Sequence, residues 1–245
     1  MTNRNSYDER TYRSNILKNN LTLFNVTVGE SDLFISSDQY LYHAALASLR
    51  RNRAYLETYI ESHSHFLTAL APLQFDCFSP AIIRDMMTAA IRSNVGPMAA
   101  VAGALAEHVG RDLLRDSPNV IIENGGDIFM NCQHDTRVGI FAGSSPLRDK
   151  VTLIVREKEM PMGICTSSGT IGHSLSFGIA DAVCVKAKSA TLADAAATSI
   201  CNMIKSKADV QRVLRDGMRI ENILGIIVIV GDQLGVIGDI ELANR

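Results

Sequence analysis

The chain has 245 residues, 47% hydrophobic and 20% charged, a globular balance that needs no disulfide or metal staple. A net charge of −2, no tryptophan and 6% aromatic residues supply neither the basic field nor the stacking platform of a nucleic-acid binder. Five scattered cysteines without a C-x-x-C pair, a polar N-terminus without an apolar signal core, and no bilayer-length apolar run point to the cytoplasm.

No composition shift or linker interrupts the chain, so residues 1–245 are expected to form one domain behind a polar lead over 1–20. Leu21–Val28 and Leu33–Ile35, on either side of Gly29-Glu30-Ser31-Asp32, predict a hairpin. From Asp38 the spacing of Leu41, Ala44, Ala45, Leu49 and Leu56 predicts a helix, with Arg50, Arg51 and Arg53 on its solvated side. A second helical block starts near Pro80, breaks at Asn94-Val95-Gly96-Pro97 and resumes through Leu113. Strands are expected at Val120–Glu123, Ile128–Met130 and Arg137–Ala142.

The second half repeats this order. Val151–Val155, Gly163–Thr166 and Ala182–Ala187 read as strands, 191–205 and 208–216 as helices, and Leu224–Val230 with Leu234–Ile237 as a closing hairpin. Adjacent strand pairs with grouped helices predict an α+β fold, an antiparallel sheet covered by helices. The repeated order suggests an internal duplication, although no residue-level repeat is visible.

Four segments could carry chemistry. Gly96 leads into a helix at Pro97, where backbone N–H groups can face an anion; an ordinary helix start with Gly96 as N-cap reads equally from the same residues. In Glu123-Asn124-Gly125-Gly126-Asp127 the glycines allow a ligand close to the backbone, and Asp127 could take a cation or ribose hydroxyls. The same residues are also a two-residue hairpin turn. From Gly163 to Ser174, Thr166, Ser167, Ser168, Gly169 and Thr170 supply short donors for phosphate oxygens, and His173 an acid or base near neutral pH.

Within that segment Cys165 could be a nucleophile or simply packing. In the fourth segment Asp194 and Thr198 lie four residues apart, on one helix face, and make a partial Mg²⁺ shell. Thr191-x-x-Asp194 could equally be a capping box. His63-x-His65 alone does not make a metal site, and no P-loop, dinucleotide fingerprint or hydrolase motif occurs.

Taken in this order, the segments resemble the ApbE-like superfamily, named for a flavin transferase. The glycine-glycine-aspartate turn, the Thr-Ser-Gly segment with a following histidine, and the Ala-x-x-x-Asp-x-x-x-Thr helix start carry the likeness. Residues 95–103, 123–127 and 166–170 are similar to a short branch found in archaea and anaerobic bacteria. The resemblance runs from about Leu21 to Leu242 and implies a T-fold-like architecture.

For the flavin transferases it implies FAD bound with Mg²⁺ and transfer of FMN to a protein threonine. Carried over by position, Asp194 and Thr198 hold the metal, while Gly125, Gly126 and Asp127 line the nucleotide site. His173 matches the transferase histidine loosely, since His173-Ser174-Leu175-Ser176-Phe177-Gly178 stands where that family has His-x-x-Asp-Pro-x-x-Gly. The short branch is also linked, at family level, to homocysteine formation from sulfide. The expected function is therefore Mg²⁺-assisted binding of a flavin nucleotide with FMN transfer to a protein acceptor. The alternative is an accessory factor in sulfur assimilation, handling a sulfur metabolite beside a partner enzyme, with Cys165 as persulfide carrier in a third version. Neither membrane nor nucleic acid is an expected partner, and a homo-oligomer is compatible with the apolar stripes.

Overall fold

The computed structural model describes residues 21–169 and 178–243. β1 (Thr22–Val28) and β2 (Ser31–Ser37) form the first hairpin. Helix α1 (Tyr42–Ser62) begins four residues later than the spacing predicts. The reason is local: the Asp38 carboxylate turns away to accept from the Asn119 amide at 2.9 Å and the Ser117 hydroxyl at 2.8 Å. Arg51 pairs with Asp112, and Arg53 with Glu30 and Glu57, so part of the basic cluster is spent on surface ion pairs.

A one-turn helix α2 (His65–Thr68), too short to leave a periodic signal, precedes α3 (Ala81–Ser93). A 3-10 turn over Pro97–Ala100 leads straight into α4 (Val101–Leu113). β3 (Val120–Asn124), β4 (Asp127–Asn131), β5 (Thr136–Ile140), β6 (Val151–Val155), β7 (Met162–Ser167) and β8 (Ala182–Ala187) follow. The chain closes with α5 (Ala190–Met203), α6 (Val210–Gly217), β9 (Ile223–Val230), β10 (Gln233–Gly238) and the short β11 (Glu241–Leu242).

Eight strands form one sheet in the order β1-β2-β3-β4-β7-β8-β9-β10, every neighbour antiparallel. β5 and β6 leave it and pair with β11 in a separate three-stranded sheet, which the sequence pattern did not distinguish. Each half of the chain thus runs hairpin, helices, hairpin. The expected class, helices on an antiparallel sheet, is the observed one.

Alternation along the strands divides the core in two. Ile122, Phe129, Cys165, Val183, Val185 and Val228 face the helices. Ile121, Ile128, Met130, Ile164, Cys184 and Ile227 face the small sheet and meet Val138, Leu153 and Val155. The central strands, covered on both faces, therefore read as nearly continuous apolar runs. Among the described residues no helix is long and apolar enough to cross a membrane.

Candidate functional site

α5 lies along β7, and its course sets the site. At one end Gly163 meets the helix so closely that a Cβ there would stand 2.2 Å from the Ala190 Cα. At the other end Gly178 meets the Cys201 carbonyl, where a Cβ would stand 1.8 Å from the oxygen. Asp194 and Thr198 fall between these contacts, over the half of β7 that holds Cys165 and Ser167. The helix can lie this flat because Ala190, Ala193, Ala195, Ala196 and Ala197 are small and buried. Its N-cap is Ser189, whose hydroxyl accepts from the Leu192 amide at 3.2 Å. The Thr191-x-x-Asp194 capping box therefore does not form. Asp194 turns instead to α4, where its Oδ2 accepts from the Gly103 amide at 2.8 Å.

The glycine turn approaches from the other side. Asn124 pairs with Asp127 in the register of β3 and β4, so Gly125 and Gly126 are the two loop residues of a tight hairpin. Both have positive φ, 67° and 107°, which glycine adopts without a Cβ penalty. Glu123 Oε1 accepts from the Gly126 amide at 2.8 Å, and the Asn124 amide donates to the Ala102 carbonyl at 3.1 Å. Among the described residues nothing stands within 4 Å of where a Gly125 Cβ would be, so they leave the tip of the turn open.

Strand alternation sends Asp127 to the helix side, with Phe129. Its carboxyl is held well above the usual range, first by burial and then by the charge of Asp194. Burial pushes the Asp194 carboxyl up to about 7 against the Gly103 and Ala102 amides, which act in the opposite direction. Two buried acids therefore face each other at the junction of β4, β7, α4 and α5. Cys165, fully buried beside them, donates to the Ala190 carbonyl at 3.3 Å. Burial, and then Asp127 and Asp194, raise its thiol well above the ordinary value, the reverse of what a nucleophilic thiolate requires.

Ser167 points to the helix side two residues further on. It is 8% exposed, and its hydroxyl finds no partner among the described residues. Thr198, also 8% exposed, lies one helical turn beyond Asp194. Thr166 faces the small sheet instead, opposite Cys184 in the register of β7 and β8. Ser168 and Gly169 follow at the strand end, Gly169 donating to the Ala180 carbonyl at 2.9 Å. Gly96 stands apart: a Cβ there would be 1.7 Å from the Ala69 carbonyl oxygen, so chain packing itself demands glycine. Thr170 and His173 lie outside the described residues.

The structure thus brings Asp127 and Asp194 together and ties Asn124 and Asp194 to adjacent residues at the start of α4. Gly125 and Gly126 form the turn before Asp127, Ser167 follows on the helix side of β7, and Thr198 lies one turn along α5. Sequence reasoning missed Gly103 and Ala102, whose backbone meets Asp194, and Glu107, whose carboxylate holds the start of α5. A small-residue helix start facing a second one was their only signal. Among the described residues no group of three or more His, Cys, Asp or Glu side chains could hold a metal. A hard cation such as Mg²⁺ needs fewer, because hydroxyls, carbonyls and water complete its oxygen shell.

A family model described as AbpE bacteria matches residues 14–234. The chain belongs to the ApbE-like family. A UPF0280 protein of Methanocaldococcus jannaschii is 38% identical over 221 residues, covering 88% of this chain and 90% of its own. Another, from Methanospirillum hungatei, is 40% identical over 208 residues, with 84% and 83% covered. The chain is therefore a UPF0280-type member, in agreement with the short archaeal branch that its motifs resemble.

Among solved structures, the apo flavinyl transferase ApbE of Pseudomonas stutzeri superposes with a TM-score of 0.58 at 13% identity, covering 89% of this chain and 94% of its own. The ApbE protein of Thermotoga maritima gives 0.53 at 11% identity, with 88% and 96% covered. At these identities the likeness establishes the ApbE fold.

Proposed function

We propose that this ApbE-like chain binds a flavin nucleotide, FAD or a close relative, through Mg²⁺ at Asp194 and Thr198, and transfers its FMN half to a protein hydroxyl. The observation that carries this reading is the buried Asp127–Asp194 pair. Two carboxyls in a low-dielectric site, where burial resists the ionisation of both and the charge of Asp194 adds to the cost at Asp127, make a ready receptor for a divalent cation that would let both ionise. The donor set is all oxygen, as Mg²⁺ prefers. Ser167 adds a buried hydroxyl that has no partner among the described residues and that a phosphate oxygen would engage.

Held by Asp194 and Thr198, such a cation would supply charge neutralisation at the pyrophosphate. The open turn of Gly125 and Gly126 lets the nucleotide lie close to the backbone, while Asn124, tied to Ala102, holds the turn against α4. In the transfer an acceptor hydroxyl bonds to the FMN phosphorus as the P–O bond to the AMP phosphate breaks. AMP leaves, and the hydroxyl proton passes to His173.

The replacement of the family's His-x-x-Asp-Pro-x-x-Gly stretch by His173 to Gly178 favours a second reading, nucleotide binding without transfer. No feature of the fold or the relatives adds weight to the sulfur-assimilation role. Calorimetric titration with FAD, with and without Mg²⁺, followed by mass analysis of the nucleotide, separates the cases. Metal-dependent binding with AMP release is the expected outcome. Binding without AMP release selects the second reading, and no binding in either condition overturns both.

A further inference from the structure

A cavity of about 470 Å³ opens on the other side of α5 from Asp194, between α3, α4 and the start of α5. Leu192 forms part of its wall and lies two residues before Asp194, about 200° around the helix, so the two sites share a helix but not a face. The volume is that of a small-molecule site.

Its charge is uneven. Arg92 of α3, Arg111 of α4 and Lys188 of the β8–α5 turn converge from three separate elements, against two acids, Asp85 and Glu107. Both acids are already engaged. Asp85 meets His108 Nε2 at 2.8 Å. Glu107, 5% exposed, accepts from the Ser189 hydroxyl at 2.7 Å and from the Thr191 amide and hydroxyl at 3.0 Å. Glu107 thereby satisfies the start of α5 from within the protein, and the helix end offers the cavity nothing.

The cations are held more loosely. Lys188 donates to a neutral group, the Glu159 carbonyl, at 2.7 Å. Among the described residues Arg92 meets one acid, Glu221, 3.7 Å away and 75% exposed. Arg111 uses Nε and one terminal nitrogen on Glu107 and keeps further N–H donors. Glu107 counters Arg111 and the solvated Glu221 lies near Arg92, which leaves Lys188 with no carboxylate partner among the described residues, and the exposed Asn222 side chain adds a polar group at the rim.

We propose that this cavity is a second binding site, for a small metabolite bearing a doubly charged oxyanion, a phosphoryl group or a dicarboxylate. Arg92 and Arg111 grip the anion through paired N–H donors, and Lys188 contributes a point charge. The proposal does not depend on the metal-linked site at Asp194.

The test is titration calorimetry of the full chain in EDTA with pyrophosphate, inorganic phosphate and succinate in turn. Saturable binding of at least one is expected, weakened about tenfold or more by Arg92→Glu and by Lys188→Glu and steeply by added salt. Both substitutions are at exposed positions, and a thermal melt checks that each variant folds. Asp194→Asn leaves this affinity unchanged. A response to the phosphates alone assigns a phosphoryl ligand, and a response to succinate alone a dicarboxylate. No saturable binding to the wild-type chain overturns the proposal. So does binding that survives both charge reversals, or binding lost in Asp194→Asn.

Discussion

Asp194 is the residue on which the candidate site turns, and its acidity has a consequence for stability. Its carboxyl is raised from an ordinary 3.8 to about 7 in the folded chain. Between those values the folded state keeps a proton that the unfolded chain has lost, so stability falls as pH rises from about 4 to about 7 and levels off above. Asp127, raised in the same direction, steepens the loss. Urea unfolding in EDTA across this range should show a decline of a few kcal/mol. Asp194→Asn removes the ionisable group and keeps an oxygen for the Gly103 amide, so it should flatten the curve and stabilise the metal-free protein at pH 8. An undiminished slope in the variant would show that the charge on Asp194 is not what the fold resists.

At the scale of elements, α4 and α5 hold each other through two acids that point in opposite directions. Asp194 of α5 reaches the Gly103 amide near the start of α4, and Glu107, one turn further along α4, reaches Ser189 and Thr191 at the start of α5. Glu107→Ala would strand a buried amide and two hydroxyls, a loss of about 2–4 kcal/mol. Glu107→Gln keeps one acceptor oxygen and should cost roughly half as much. Equal denaturation midpoints for the two variants would mean that the acceptor oxygen kept by Gln satisfies none of these donors.

This clamp also marks where the sequence stops being legible. The period of the apolar residues shows α5 and, on it, the shared face of Asp194 and Thr198. It does not show that Glu107, which reads as one polar residue on an amphipathic helix, ends against a helix start more than eighty residues away. Likewise β5 and β6 carry ordinary strand patterns, and nothing local records that they leave the main sheet. Pairing partners are set by which buried faces meet, and that is a property of the assembled chain. The glycine turn was legible because its requirement is local: positive φ at Gly125 and Gly126 follows from a two-residue loop.

For the whole molecule, the question is what binds the small sheet to the large one beyond the apolar contacts of Met130, Ile164 and Leu153. Lys186 of β8 points into that layer with 1% of its side chain exposed, and it meets two of the three connections that cross between the sheets. Its Nζ donates to Glu159 Oε1 at 2.7 Å, in the β6–β7 connection, and to the Asp239 carbonyl at 2.9 Å, between β10 and β11. The partners are not equivalent, because Glu159 is 14% exposed and Asp239 is 72% exposed. Removing Glu159 leaves a buried ammonium with only a solvated acid and a carbonyl, whereas removing Lys186 leaves acids that can turn toward water. Glu159→Ala should therefore cost about 3–5 kcal/mol and Lys186→Met distinctly less. The double variant should be no worse than Glu159→Ala alone, since no unpaired ammonium remains. Urea denaturation of the three proteins decides the matter: if Lys186→Met proves the more damaging single change, the amine is valued for its own contacts, and Glu159 is not its essential counter-charge.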